Sequence, residues 1–530
     1  MFVDFTFSEM AARSDLNPAP WRRPFIRWLD GVEAGWSVPL LLVSFAAVWT
    51  AYLWIAYAGS GLHPDFLETW TLGRHFAWGN PKHPPLMGWV TGAWTQVFPS
   101  TDWSLQLMAM TNAALALWAV DLISRQFVTG HKRLLVLLLL MLTPAYQFHA
   151  QRFNANAVLL AVWPLATYCF LRAFETRTAI WAIAAGLAAA VAMLGKYYSV
   201  FLLASFALAA LAHPSRRAYF TSASPWISIA AGLLALAPHL YWLATTGAAP
   251  FGYAMAAHGG VDLPTSLQDS TSFVAGLAAT MSPPALTWVL IAGPRLRRLP
   301  SDFVAMVPGL RLLFYIAIGT IVLPVATSLT VGTDLPSMWA LQGVFLFAVL
   351  IVCGTSYPIE RFHTVNATVL VVGIALAAVV IAAPLHALYR NSHGYEEGRN
   401  LYPQIAGEVT RLWHELTGIP FARVSGDDAL AFATAFYSPD HPYYARPFAK
   451  QYTWPVPRKT TLEHGWAGLC FHDQPECLAW MDQTAARAGN VVRHEFVAQA
   501  HLLGMPGVSR RVVALIVPPQ AAQADEEPGK

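Results

Sequence analysis

Between Pro64 and Trp89 the chain reads PDFLETWTLGRHFAWGNPKHPPLMGW, which places Asp65, Glu68, Arg74, His75, Lys82 and His83 in one short stretch. Carboxylates beside cations offer two kinds of chemistry: a carboxylate takes a proton, and cations stabilise a developing anion. Trp70, Trp78 and Trp89 punctuate the stretch as aromatics do at a membrane–water interface. Ionisable groups at a membrane face are costly unless they are paired or employed. A solvated interfacial loop is the plain alternative to a working site, and the distribution of charge along the rest of the chain separates the two.

Of the 530 residues, 56% are hydrophobic and 12% charged, against about a quarter charged in soluble domains. An integral membrane protein is therefore expected. The net charge of +3, without a basic stripe, argues against a nucleic acid partner. No Walker sequence and no G-x-G-x-x-G after a strand is present, so nucleotide-driven transport has no support. The first apolar run ends in a small-residue A-x-A pattern at Ala56 and Ala58, but its length suits a spanning anchor better than a cleaved signal.

Residues 1–35 carry Arg13, Arg22, Arg23 and Arg27 and read as a cytoplasmic N-terminal segment. The region 36–385 predicts about eleven transmembrane helices. They fall near 36–58, 103–124, 134–148, 155–172, 179–195, 197–212, 225–245, 271–293, 310–329, 336–354 and 365–385. A short interfacial helix is expected over 84–98, and another over 66–78. Arg125, Lys132, Arg133, Arg172, Arg177, Arg216, Arg217, Arg295, Arg297, Arg298 and Arg361 then fall on the cytoplasmic side. Arg74, Lys82, Arg152 and Lys196 are left on the outer side, together with the first loop, 59–102. One such cation reads as snorkelling to lipid headgroups; all of them together read as a shared anion site.

Beyond residue 385 a polar linker, 386–404, is expected to open a small periplasmic α/β domain over 386–517. Helical IAGEVTRLWHEL and PECLAWMDQTAARAG alternate there with β-type FARVS, WAGLCF, VVRHEFVA and VVALIV. Cys470 and Cys477 would lie in an oxidising compartment and are expected to form a disulfide. No second Cys or His pair accompanies them to make a zinc site. Cys169 and Cys353, inside apolar runs, read as inert core thiols. Residues 518–530 read as a disordered tail.

An outer acidic loop with separated cations suits a sugar donor carried on a lipid phosphate. Lys196, Arg152, Lys82 and Arg74 are the expected phosphate contacts. Asp65 is the expected base toward the acceptor hydroxyl, with Glu68 second, because Asp65 follows Pro64 at a helix start. Asp65 could instead cap that helix, with Glu68 closing the cap. His83, Tyr197, His258 and Trp339 are expected to line the substrate. Glu68, His83 and His258 are conceivable ligands of a divalent metal, although no compact spacing supports one. His239 reads as a hydrogen-bonded core residue.

The runs D-x-x-x-x-W…RHFAWG…HPPL, LGKYYSVFLL and LAPHLYWLATTG resemble the multi-spanning GT-C glycosyltransferases. The nearest branch is the superfamily of protein O-mannosyltransferases and lipid A aminoarabinose transferases. The resemblance covers 36–385 and continues weakly into GDDALAFATAFYSPDHP. It implies a GT-C type polytopic α-helical fold, a polyprenyl-phosphate-linked sugar donor and transfer on the periplasmic face of a bacterial inner membrane. It also implies that Asp65 acts on the acceptor and that Lys196, in the GKY turn, contacts phosphate.

This chain departs from the pattern in three places. Phe66 follows Asp65 where many relatives have adjacent Asp-Glu, Lys82 precedes HPP where many have an acid, and Asn154-Ala155-Asn156 stands in place of T-P-D. The expected function is transfer of one sugar to an envelope acceptor, with lipid A or lipopolysaccharide core first and a protein or another glycan as alternatives. The rival readings are a non-catalytic binder or transporter of lipid-linked sugar, and a degenerate relative serving as an assembly partner. Transporters tend to set ionisable residues at mid-bilayer on broken helices; charges gathered at the outer boundary favour the enzyme.

Overall fold

The computed structural model describes residues 20–447, 463–488 and 490–519. Arg13 and most of the expected tail, from residue 520, lie outside them. In chain order the first helices are α1 (Ser37–Ala56), α2 (Pro64–Gly73), α3 (Leu86–Thr95), α4 (Asp102–Ser124), α5 (His131–Leu140) and α6 (Ala155–Thr176). There follow α7 (Ala179–Gly195), α8 (Val200–Ala212), α9 (Ser224–Thr245), α10 (Leu263–Ala292), α11 (Pro308–Val331), α12 (Val344–Cys353) and α13 (Arg361–Ala377).

Among the described residues 7 helical stretches are long and apolar enough to cross a membrane: α1, α4, α6, α9, Leu263–Val304, α11 and Arg361–His393. Ala179–Gly195, Tyr197–Ala212 and Ser337–Cys353 are shorter apolar helices. Each expected span has a counterpart. The protein is therefore a multi-pass, mostly helical membrane protein. The one expected over 134–148 is broken: α5 ends at Leu140, and after Pro144 the chain makes a π-helical turn over Ala145–His149. Proline has no N–H to continue the ladder.

The chain divides into two compact units. One consists of Met1–Thr50, Leu107–Gly247 and Ala254–Ala378. Its centre is α5, in which Leu134 to Leu140 are at most 1% exposed. The fully buried Asp121 of α4 is held from two sides. Arg133 Nε and Nη2 donate to its carboxylate at 3.0 and 2.9 Å, and Arg125 Nε donates at 2.8 Å. A buried carboxylate is tolerable only when its oxygens are matched in this way.

The other unit consists of Ala51–Gln106, Ala248–Tyr253 and Val379–Lys530. It joins the first loop to the C-terminal region in one body. The expected linker is largely structured: α14 (Ala383–His393) runs into it, and Arg399, Asn400 and Leu401 form a buried turn. Then come α15 (Tyr402–Thr417), β1 (Arg423–Gly426), α16 (Asp428–Tyr437), β2 (Tyr443–Pro447), β3 (Trp466–Phe471), α17 (Pro475–Ala488), β4 (Val492–Leu502) and β5 (Met505–Val517).

The sheet order is β2-β1-β3-β5-β4. β1 pairs in parallel with β2 and β3, while β5 runs antiparallel to β3 and β4. All of β3 is buried, which explains its unbroken apolar sequence. β4 turns into β5 through Leu503 and Gly504, both at positive φ, as a two-residue hairpin with the natural strand twist requires. Cys470 and Cys477 form a disulfide that ties β3 to α17, inside a cluster with Trp466, Met481 and, from β5, Val513, Leu515 and Val517.

Helix α16 is buried from Leu430 to Phe436 and packs between α2 and the sheet. Trp70 of α2 meets Phe436 edge-on at 5.0 Å and His441 at 5.6 Å. Tyr437 accepts from the Leu62 amide and donates to Asp102, both at 2.8 Å. On its other side α2 crosses α3 closely. A Cβ on Gly73 would lie 2.6 Å from the Gly88 oxygen and 2.8 Å from the Gly92 nitrogen. Gly73→Ala should therefore force the two helices apart and destabilise this unit by about 1–3 kcal/mol. Gly407→Ala is the control, because α15 is open there and nothing lies within 4 Å. Thermal midpoints of the two purified variants should separate, with only the first falling.

Candidate active site

In the unit containing α5, Lys196 occupies the turn between α7 and α8, in extended backbone at φ −164° and ψ 136°. The GKY turn ends one helix and starts the next, so its lysine is offered by neither helix face. Lys196 Nζ donates to Asn156 Oδ1 at 2.7 Å and sits 3.7 Å from the centre of the Trp339 ring. Asn154 caps α6 by accepting from the amides of Asn156 and Ala157. The stretch in place of T-P-D thus has two jobs: Asn154 starts the helix and Asn156 holds the lysine.

Trp339 packs against Tyr198 at 5.0 Å and against His258 at 5.3 Å. His258 Nδ1 in turn pairs with Asp334 at 2.8 Å. Burial pushes the Lys196 ammonium down to about 7, against a smaller upward pull from Asp334. Its hydrogen-bond partner is a neutral amide, so the positive charge is not cancelled locally. Tyr197 and His239 join through OH and Nε2 at 2.9 Å. Arg152, in the same unit, is exposed close to His149.

In the unit containing the first loop, His63 caps α2, its Nδ1 accepting the Asp65 amide at 3.2 Å. The cap is therefore not Asp65, and the helix stops at Gly73 rather than reaching 78. Asp65 lies in the first turn with its side chain 45% exposed, 3.8 Å from His63 Nδ1. Glu68 is buried one turn on, and Lys82 Nζ donates to both of its oxygens at 3.0 Å. Asn80 aims the following residues by accepting from the amides of Lys82 at 3.4 Å and His83 at 2.9 Å. His83 meets Tyr253 edge-on at 6.1 Å, and Lys82 lies 5.9 Å from that ring.

Arg74 is used differently from the other loop cation. Its Nη1 donates to the Pro442 carbonyl at 3.2 Å, and its guanidinium stacks 3.8 Å over Tyr443. These contacts dock the loop on the strand region. Among the described residues no group of three or more His, Cys, Asp or Glu gathers as a metal site. Glu68 is taken up by Lys82, and His258 by Asp334.

Asn156, Asp334 and Tyr253 enter the two clusters without having been singled out as site residues in the sequence. Asp334 had a usable signal, as a lone acid between two apolar helices. Tyr253 had none.

The structure titled ArnT from Cupriavidus metallidurans bound to undecaprenyl phosphate superposes with a TM-score of 0.55 at 14% identity, covering 91% of this chain and 98% of that one. Its apo form gives 0.55 at 13% identity with the same coverage. The chain has the ArnT fold. Residues 82–242 also match the family model described as dolichyl-phosphate-mannose-protein mannosyltransferase. Among curated proteins none matches. The resemblance read from the motifs is therefore shown, in sequence over 82–242 and in fold over most of the chain. The segment matched by the family model contains Lys82, His83, Arg152, Asn156, Lys196 and Tyr197.

The buried pair makes a sharp prediction. Burial raises the Glu68 carboxyl above its ordinary value, and Lys82 only partly offsets this. For Lys82, burial pulls downward as the largest single effect, but Glu68, Tyr253 and Asp65 together carry it upward. Lys82→Met removes the offset and leaves a buried carboxylate alone. It should cost about 3 kcal/mol near neutral pH, the low end for a broken buried pair because Lys82 keeps some exposure. A raised carboxyl favours the fold below 4.5, where it is protonated in both states, and loses that advantage as pH climbs through its folded value. Denaturation of Lys82→Met should thus show stability recovering on acidification, and Glu68→Gln added to it should restore stability at pH 7.

Proposed function

We propose that the protein is a membrane glycosyltransferase that moves a sugar from a polyprenyl phosphate to an envelope acceptor, on the periplasmic face of a bacterial inner membrane. Lipid A or lipopolysaccharide core is the acceptor this reading favours. The observation that carries it is Lys196: a partly buried cation positioned by an amide and an indole, with its charge left for an anion. The fold it shares with ArnT, and that protein's bound undecaprenyl phosphate, support a lipid phosphate as the anion.

In this reaction the bond between sugar C1 and the phosphate oxygen breaks, and a bond forms between C1 and the acceptor oxygen. The acceptor's proton passes to the Asp65 carboxylate, which is half exposed in the first turn of α2. The phosphate leaves on its polyprenyl chain with Lys196 stabilising the charge. Glu68 acts through Lys82, holding that ammonium in place. His83, Tyr197, His258 and Trp339 serve as substrate-facing supports, each already oriented by a partner. Arg152 contributes a further positive charge, and Arg74 works by docking the loop.

Asp65→Asn should abolish transfer while leaving donor binding intact; turnover at the wild-type rate would remove the base from the scheme. Binding without transfer in the wild-type protein would instead favour the non-catalytic binder.

Lys196→Ala should weaken binding of polyprenyl phosphate by about tenfold or more, as loss of a charge-assisted contact implies. Because burial brings the Lys196 ammonium down to about 7, an anion binds better below that pH. Affinity for polyprenyl phosphate should fall as pH rises from 6 to 8.5, by up to about tenfold per unit. Lys196→Arg should flatten this dependence, since a guanidinium stays charged throughout. Calorimetric titration across that range reads both effects.

A further inference from the structure

In the unit that joins the first loop to the C-terminal region, two arginines and a histidine converge on one tyrosine. Arg423 opens β1 and stands opposite Tyr443 in the parallel pairing with β2. Its guanidinium lies 5.4 Å from the centre of the Tyr443 ring, and that of Arg74, just past α2, lies 3.8 Å from it. The His75 ring stacks on the same ring at 5.1 Å. His75 is exposed and both arginines are partly exposed, so a solute can reach them.

No carboxylate balances the two guanidinium charges. Among the described residues neither arginine forms an ion pair. Burial holds the Arg74 guanidinium below its ordinary value and Arg423 adds to the effect, with only Tyr443 opposing it. Arg423 is lowered by burial as well, and again Tyr443 opposes. The acids nearest in sequence are engaged elsewhere. Asp440 accepts from the Phe421 amide and pairs with His414, Asp427 accepts from the Leu430 amide and Gln474, and Glu68 is held by Lys82. Like charges crowded on one ring repel each other, and a bound anion relieves that repulsion.

Each arginine donates once to a backbone carbonyl: Arg74 Nη1 to Pro442 at 3.2 Å and Arg423 Nη1 to Ala422 at 3.0 Å. A guanidinium carries further N–H donors, so most of the fork remains. Burial and the Arg74 charge hold His75 below its usual value, which makes it a neutral donor. The number of oxygens to be met selects the anion. One fork already matches both oxygens of a carboxylate, whereas two forks and an imidazole match the several oxygens of a phosphate.

The neighbouring residues identify the carrier. Phe76 and Trp78, on the turn after Arg74, are 43% and 53% exposed. Phe76 stands at φ 44°, a conformation that a residue with a β-carbon adopts under strain. The loop connects the spanning helices α1 and α4, so it lies at a membrane boundary, where exposed aromatics meet lipid. A phosphate carried on a membrane lipid suits both the arginines and the rings; free phosphate suits the arginines alone.

We propose that Arg74, Arg423 and His75 bind the phosphate of a membrane lipid headgroup, with Phe76 and Trp78 resting against the lipid. This site shares no residue with the Lys196 cluster. It seats the first loop on the membrane and does not rest on the transferase reading.

The test uses the full-length protein in a non-ionic detergent, with Lys196→Ala as the parent so that the other phosphate contact is removed. Dioctanoyl phosphatidic acid, dioctanoylglycerol and inorganic phosphate are titrated by calorimetry. Phosphatidic acid should bind the parent saturably, and about tenfold or more tighter than either other probe. Arg423→Gln, added to the parent, should weaken it by about tenfold or more, the effect of losing a charge-assisted contact. Arg74→Lys keeps the charge but loses the fork, and should weaken it by about threefold or more. That variant supplies the reading if Arg423→Gln does not fold. The proposal is overturned if phosphatidic acid does not bind the parent, or if both variants bind as the parent does. It is overturned equally if dioctanoylglycerol or inorganic phosphate binds as tightly, the latter result meaning a free-phosphate site. Phosphatidic acid bound by the parent, with no polyprenyl phosphate bound by wild type, supports this site and rejects the Lys196 reading alone.

Discussion

Glu68 could not occupy its place without Lys82. A carboxylate this far from water is held only if both of its oxygens meet donors, and one ammonium 3.0 Å from each supplies them. The pair fixes more than itself. Glu68 lies one helical turn from Asp65, and Lys82 lies next to His83, so the ion pair closes the loop between α2 and the HPP segment. The loop's ionisable groups are thereby set on a short helix and a constrained turn. The lysine before HPP is the local counterpart of the glutamate three residues beyond Asp65.

The second cluster follows the opposite logic. Lys196 is not neutralised: it is aimed by Asn156 and underlaid by Trp339, and its nearest acid, Asp334, is engaged by His258. One lysine is consumed by its partner and the other is kept available. The difference lies in the partner's charge, since an amide directs an ammonium without lowering its attraction for an anion. The two lysines looked equivalent as outer-side cations, and only their neighbours tell them apart.

Much of the fold was legible because hydropathy is a local property: the spans from α1 to α13 and the strands β1, β3, β4 and β5 all announce themselves in short windows. What escaped had weak local signals. β2 is a short strand, YYARP, ending in proline. α16, DALAFATAFY, is apolar on every face and so shows no 3.6-residue period, because it is buried on every face. In the two clusters, Asp65, Glu68, Lys82 and Lys196 stand out in the sequence as rare charges in an apolar chain. Their partners do not, because Asn156 lies 40 residues from Lys196 and no pattern in the sequence records that contact.

The hydrogen bond between Tyr437 and Asp102 joins residues 335 apart. On the ribosome, the first loop is made early and the helix that buries Trp70 is made very late. Through most of its synthesis the loop lacks the surface it packs on, and contacts of such long sequence separation form slowly. The unit that holds the first loop is thus among the last parts to become whole. A nascent chain that stalls before α16 would insert its spans and still present Trp70 bare, a natural handle for the cell's quality-control proteases.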